Sequence, residues 1–257
     1  MLCLSLATNL AQIWSKVWPL SRGRYLPFRA LSLFPPQWCN IQGTWFRLHP
    51  DDWIQRQLLI HNEYEPDVSR LVGSLEPGAT FVDVGANIGY FSFLASRVVG
   101  PTGRVIAMEP NPRTAARFRE NLKRNQFRNI QLHEVALADA AGESDFFLAP
   151  DSGSSSFSSA SADSHDSARV KCVQGDSLLS DLTRLDFLKM DVEGAEFLAL
   201  RGMDRTIARF RPVIVIEISN ELLTRQGATA DGIRQLLMAH GYHETPLDDK
   251  TSQFRVP

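Results

Sequence analysis

The chain has 257 residues and 44% hydrophobic content, enough for one well-buried core with an extension and short for two full domains. Its formal net charge of −2 speaks against a nucleic acid partner, because a face that binds phosphates raises the overall basicity. Cys3, Cys39 and Cys172 are few, odd in number and without metal-ligand spacing, which argues against a disulfide framework and for a reducing, cytoplasmic setting.

Residues 1–63 read as a helical, aromatic and basic N-terminal extension. Leu6, Leu10, Ile13, Val17 and Leu20 recur at helical spacing, while Asn9, Gln12 and Lys16 interrupt the run, so the pattern is an amphipathic helix and not a membrane span. Up to Pro50 the basic residues are Lys16, Arg22, Arg24, Arg29 and Arg47, with no acidic residue, which leaves the rest of the chain at −7. Trp14, Trp18, Trp38, Trp45 and Trp53 are all the tryptophans of the chain. They suit anchoring of the extension on the core, an aromatic surface for a substrate, or, with the basic residues, a peripheral contact with a membrane. Asp51 or Asp52 can cap a helix that Pro66 divides from a second one.

From residue 64 to 257 the pattern is that of one domain. After the turn Glu76-Pro-Gly-Ala79, the run Thr80-Phe-Val-Asp-Val84 suits a buried strand, and a helix is expected from Ile88 to Val99. The strand Val105 to Met108, a helix from Pro112 to Asn125 and a strand from Ile130 to Val135 follow. Gly142 to Leu148 and Arg169 to Val173 are shorter strands flanking the serine-rich segment Asp151 to Ser167, which reads as a surface loop or a substrate lid. Leu185 to Met190 is the next core strand. A helix from Gly194 to Met203, the strand Pro212 to Ile216, a helix from Asp231 to His240 and a terminal hairpin complete the chain. Strands alternating with helices predict an α/β, doubly wound, mostly parallel sheet, which binds ligands beyond the carboxyl ends of its strands.

The turn after the first core strand is Asp83-Val-Gly85-Ala-Asn87-Ile-Gly89, with Asn87 where a dinucleotide fingerprint has its middle glycine. That is the wrong loop for a pyrophosphate. Asp83 would repel phosphate but accept hydrogen bonds from an ammonium, directly or through water, and Glu109 ends the next strand within reach of ribose hydroxyls. S-adenosylmethionine has an ammonium, a sulfonium and a ribose, and no phosphate. Asp191 and Glu217 end two further strands, so Asp83, Glu109, Asp191 and Glu217 should converge on one rim. Asp191 and Glu217 could hold a divalent cation or act as general base; Glu193 and Glu196 read as acids of a helix first turn.

Tyr64-Glu-Pro66, Val82-Asp-Val-Gly-Ala-Asn-Ile-Gly89, Ala107-Met-Glu-Pro-Asn111, Glu134-Val-Ala-Leu-Ala-Asp139, Phe187-Leu-Lys-Met-Asp-Val-Glu-Gly-Ala-Glu196 and Pro212-Val-Ile-Val-Ile-Glu217 together resemble the FkbM-type family of class I S-adenosylmethionine-dependent methyltransferases. The resemblance covers about Tyr64 to Tyr242. It implies a Rossmann-like, seven-stranded sheet with one antiparallel strand near the end, and methylation of an oxygen on a sugar, glycan or small natural product. It also implies Asp83 and Gly85 near the methionine end, Glu109 on the ribose, Ala136 and Leu137 against adenine, and Asp139 on the adenine side. Asp191 is then the first choice for proton removal and Glu217 the second, with His61 and His165 behind them. Two other readings compete: a methyltransferase-like scaffold without catalysis, associated with an envelope, and a nucleotide-dependent oxidoreductase.

Overall fold

The computed structural model describes residues 34–149, 155–157 and 166–257. The expected amphipathic helix, Trp14, Trp18 and His165 lie outside the described residues.

The core is built outward from β3 (Thr80–Val84), which is buried at every position. The chain leaves it through α3 (Tyr90–Val99), returns as β4 (Arg104–Met108), and repeats the crossover through α4 (Pro112–Asn125) to β5 (Ile130–His133). α4 begins where expected because Asn111 caps it, accepting from Arg113 N and Thr114 N, and Pro112 needs no amide partner there. The chain then crosses back to β9 (Phe187–Met190) on the other side of β3, followed by β10 (Val213–Glu217). The hairpin of β11 (His243–Pro246) and β12 (Thr251–Arg255) closes the sheet. The seven strands lie in the order β11-β12-β10-β9-β3-β4-β5, parallel except at β12, which is antiparallel to both neighbours. This is the Rossmann-like sheet with one antiparallel strand. Its topological switch lies between β3 and β9, where such sheets open a crevice.

The alternation along the strands divides the core in two. Phe81, Val105, Ala107, Phe187 and Val215 face α2 (Pro66–Gly73), α3 and α4, whereas Val82, Ile106, Met108, Leu188, Met190 and Ile216 face α6 (Glu196–Arg201), α7 (Asp204–Phe210) and α9 (Ala230–Ala239). The first of these faces also takes in β1 (Gln37–Ile41) and β2 (Thr44–Leu48), an antiparallel hairpin with Gln42 and Gly43 at positive φ in its turn. Ile41, Phe46 and Leu48 join that core, with Phe46 5.4 Å from Phe93. Asn121 and Asn125 of α4 accept from Arg47 N and Trp45 N at 2.8 Å, and Arg124 lies over the rings of Trp38 and Trp45. The described part of the extension is therefore a hairpin followed by α1 (Trp53–His61), capped by Asp52.

Three segments differ from the sequence expectation. The strand expected over Ile130 to Val135 ends at His133, because the chain then leaves the main sheet. It enters a three-stranded one made of β6 (Ala136–Leu137), β8 (Ser167–Val173) and β7 (Gly142–Phe147). The helix expected over Gly194 to Met203 is the shorter α6, which stops at Gly202, where a Cβ would sit 2.0 Å from the Ala138 carbonyl oxygen, and α7 follows it as a helix that the sequence expectation did not include. The helix expected from Ile88 starts at Tyr90, with Gly89 at φ +95 as its cap.

Candidate functional site

A cleft opens beyond the carboxyl ends of β3, β4 and β9. Gly85, Asn87, Glu109, Ala136, Leu137 and Asp191 all line it. Its floor is the turn after β3, where Gly85 N and Ala86 N both donate to Met108 O. Gly85, at φ +79, leaves no room for a side chain, since a Cβ there would meet Asp191 O at 1.8 Å. Asn87, at φ +52, turns its amide onto Glu109 Oε2 at 2.8 Å, and Asn111 N holds Glu109 Oε1 at the same distance. The Glu109 carboxylate is thus fixed from behind with 6% of its surface exposed, and burial raises its pKa to about 7 against the pull of those two amides.

The facing wall is apolar. Ala136 and Leu137 lie beside Val135, Phe146 and Phe157, and the two phenylalanines meet edge to face at 5.1 Å. Phe157 and Ser155 belong to the serine-rich segment. Ser156 pairs with Phe147, and Ser155 Oγ takes part in hydrogen bonds with Asn111 Nδ2 and Ala149 N, so this piece is part of the wall.

Three of the expected cofactor residues stand apart from the lining. Asp83 is fully buried under the turn, its Oδ2 accepting from Ser92 Oγ at 2.6 Å while Oδ1 has no hydrogen-bond partner among the described residues. Gly89 packs beneath, where a Cβ would come within 2.9 Å of Phe118 and Phe93, so its absent side chain serves helix packing. Asp139 points away to Arg201 at 3.4 Å, and its backbone carbonyl receives Gln174 Nε2.

Asp191, Glu193 and Ile54 also wall a second cavity, of about 400 Å³, completed by Trp53, Tyr64, Glu65, Glu217, Leu222, Asp248, Lys250 and Thr251. Lys189 lies behind it, 5% exposed, opposite Asp83 in register, 3.2 Å from Asp191 Oδ2 and over the Phe91 ring. Burial works against the Asp191 carboxylate, but the Lys189 ammonium and hydrogen bonds from Glu217 and Lys189 outweigh it and hold its pKa below the ordinary range. Burial and the Asp191 charge push Glu217 up to about 8, so that near neutrality Glu217 keeps the proton it donates to Asp191. Burial, then Asp191 and Glu217, push Glu193 to about 9. Glu196 folds the loop back by accepting from Val192 N and Gly194 N. Oxygens of Asp191, Glu193 and Glu217 all lie within 4.8 Å of one another, a set that fits a divalent cation.

The Glu193 shift has a consequence for stability. The folded chain keeps this proton up to about pH 9 whereas the unfolded chain releases it near the ordinary glutamate value, so stability falls as pH rises between the two. Glu193→Gln is expected to raise the stability of ligand-free protein at pH 8 by about 1–2 kcal/mol. Thermal unfolding of both proteins checks this, and they should converge below the ordinary carboxyl range.

The pattern of the "Methyltransferase FkbM domain" matches residues 83–244, from the end of β3 into β11. The chain belongs to the FkbM methyltransferase family. AMB antimetabolite synthetase AmbE of Pseudomonas aeruginosa is 30% identical to it over 245 residues, covering 79% of this chain and 11% of AmbE. Hexuronic acid methyltransferase AglP of Haloferax volcanii is 30% identical over 154 residues, covering 59% of this chain and 61% of AglP. 2-O-methyltransferase NoeI of Sinorhizobium fredii is 29% identical over 174 residues, covering 60% and 69%. The chain thus spans about a tenth of the length of AmbE and three fifths of that of AglP. The FkbM match takes in Glu109, Asp191, Glu193 and Glu217 and leaves out Ile54, Tyr64 and Glu65, which complete the second cavity. Of the wall residues, Glu65 had a sequence signal in Tyr64-Glu-Pro66; Ile54 and Phe157 had none, because only the tertiary fold brings them to the cleft.

Proposed function

We propose that this chain transfers a methyl group from S-adenosylmethionine to a hydroxyl of a small-molecule or glycan acceptor. The observation that carries the reading is the shared wall: Asp191 and Glu193 belong both to the cleft with the ribose-type carboxylate Glu109 and to the acid-lined cavity beside it. The cleft suits this cofactor by its donor set. Glu109 can accept from both ribose hydroxyls, and the Ala136, Leu137 and Phe146 wall suits a flat base. A nicotinamide dinucleotide fits less well, because Asn87 N, which would have to face a phosphate, is spent on Glu109.

When bound, the sulfonium supplies an electrophilic methyl and leaves as the neutral thioether. Displacement is in line, so the chain's main task is to hold the acceptor oxygen at the junction of the two cavities. Asp191, kept ionised by Lys189, stands there as the acceptor of the hydroxyl proton, and the protonated Glu217 carboxyl holds it in place through the hydrogen bond it donates to Asp191. Asp191, Glu193 and Glu217 would also hold a divalent cation, which would lower the pKa of the hydroxyl. Adding Mg²⁺ to chelated enzyme, with the rate as readout, tests that contribution.

Glu109 gives a second expectation. Its carboxylate accepts ribose hydroxyls best when ionised, so S-adenosylhomocysteine should bind more tightly as pH rises through about 7. Glu109→Gln should weaken binding about 10- to 100-fold and flatten that dependence. Isothermal titration against pH measures both. The whole reading fails if folded protein binds neither S-adenosylmethionine nor S-adenosylhomocysteine; incubation with labelled cofactor and source-cell extract identifies the acceptor.

Cys39 and Cys172 are free thiols, in keeping with a reducing, cytoplasmic setting for this chemistry. No helix of the described residues is long and apolar enough to cross a membrane, and peripheral contact through the basic extension stays part of the proposal.

A further inference from the structure

The cavity beside the cofactor cleft holds many more carboxyl groups than cations. Glu65, Asp191, Glu193, Glu217 and Asp248 line it, against Lys250 as the one cation among its described lining residues. Lys250 stands 3.8 Å from Glu217, and Lys189 behind the wall is engaged by Asp191 with Asp83 in register opposite. Glu193 has no ion-pair partner among the described residues, and Glu65 has the hydrogen bond of Tyr64 and the Lys189 charge that it shares with Asp191. Clustered carboxyl groups either keep a proton or take up a cation, so the cavity favours a ligand that brings positive charge and disfavours one that adds negative charge. Trp53, Ile54 and Leu222 add apolar surface to the lining, and the volume of about 400 Å³ is in the range that takes small molecules. A lining of both apolar and carboxyl residues suits a ring with one hydrophobic face and hydroxyls at its edge.

Resting on the methyl-transfer reading, we propose that the acceptor is a polyhydroxylated ring bearing a primary ammonium, an amino sugar with unacylated nitrogen, and that the cavity rejects uronic acids and sugar phosphates. The acceptor class would then differ from the hexuronic acid in the name of AglP. The ammonium sits among Glu65, Glu193 and Asp248, which leaves Asp191 free to take the hydroxyl proton. A divalent ion on Asp191, Glu193 and Glu217 would supply positive charge from another source, so the test has one arm with chelator and one with Mg²⁺.

The test is isothermal titration of the S-adenosylhomocysteine-loaded protein with glucosamine, N-acetylglucosamine and glucuronate. Glucosamine should bind at least about tenfold more tightly than N-acetylglucosamine, in chelator as well as in Mg²⁺, and glucuronate should not bind. The gap should shrink as salt rises. Glu65→Gln combined with Asp248→Asn should narrow it to about twofold while S-adenosylhomocysteine still binds. If the double variant does not fold, Asp248→Asn alone should narrow it in the same direction, because Asn keeps the turn acceptor for Lys250 N and Thr251 N. Equal affinity for amine and amide, binding of glucuronate, a preference that needs Mg²⁺, or no saccharide binding at all overturns the proposal. Failure of S-adenosylhomocysteine itself to bind counts instead against the methyl-transfer reading.

Discussion

Asp191→Asn is expected to lower kcat by about 10³-fold, within the range that a lost general base produces, while S-adenosylhomocysteine affinity changes by no more than a few-fold. The substitution keeps the shape of the side chain and an oxygen for Lys189 Nζ, now 3.2 Å away. It removes the negative charge that takes the hydroxyl proton. Glu217→Gln should behave differently. Near pH 7 the Glu217 carboxyl is already protonated, so the variant should lose little there; wild-type rate should rise as pH passes through about 8, when Glu217 ionises and the pair becomes a stronger base. That rise should be missing in Glu217→Gln. A kcat for Asp191→Asn within a few-fold of wild type, with the pH profile intact, would return Asp191 to the role of a salt-bridge partner.

The second large effect belongs to Gly85→Ala. A methyl group here meets the Asp191 carbonyl oxygen at 1.8 Å and its carbon at 2.9 Å, and both atoms are backbone of the neighbouring β9 loop. The backbone at φ +79 adds strain for any L side chain. Neither obstacle yields to a rotamer change, so the variant should lose more than about 4 kcal/mol or fail to reach the native fold. Gly142→Ala is the matched control, since nothing lies within 4 Å of its Cβ and its φ is ordinary, and it should be near neutral. Denaturant unfolding of the pair decides the matter. A Gly85→Ala protein as stable as Gly142→Ala would mean that β3 and β9 approach each other less closely than the structure shows.

What could be read from the sequence was whatever local pattern determines. β3, β4, α4 and β10 each have a periodicity and a boundary residue of their own, and the order of strands and helices left one sheet as the economical arrangement. The four carboxylates followed, because a residue that ends a buried parallel strand stands on the binding rim. Asp83 shows the limit of that rule: its side chain points to Ser92 under the turn, since strand alternation fixes the face even at the rim. The hairpin β1–β2 was missed although Thr44 to Leu48 alternates buried and half-buried, because tryptophans on the outer face blur the contrast and the turn Gln42-Gly43 is inconspicuous. The acid-lined cavity was legible in half. Asp191 and Glu217 announce themselves at strand ends, and Glu193 was visible only as a helix-start acid. Glu65 and Ile54 come from elements far earlier in the chain.

The hairpin also bears on where this protein can be cut. The region that matches the FkbM domain begins at residue 83, inside β3, yet ten of the 22 buried residues of the core on that face precede it, Ile41, Phe46, Leu48, Leu58, Val68 and Val72 among them. A fragment trimmed to the matching region would expose Phe93 and Phe118 to water and leave Asn121 and Asn125 without the backbone they hold. The cavity would lose Ile54, Tyr64 and Glu65 in the same cut. The family-matching region is therefore smaller than the packed core, and a fragment that starts no later than Gln37 is expected to stay folded where one that starts at residue 83 does not.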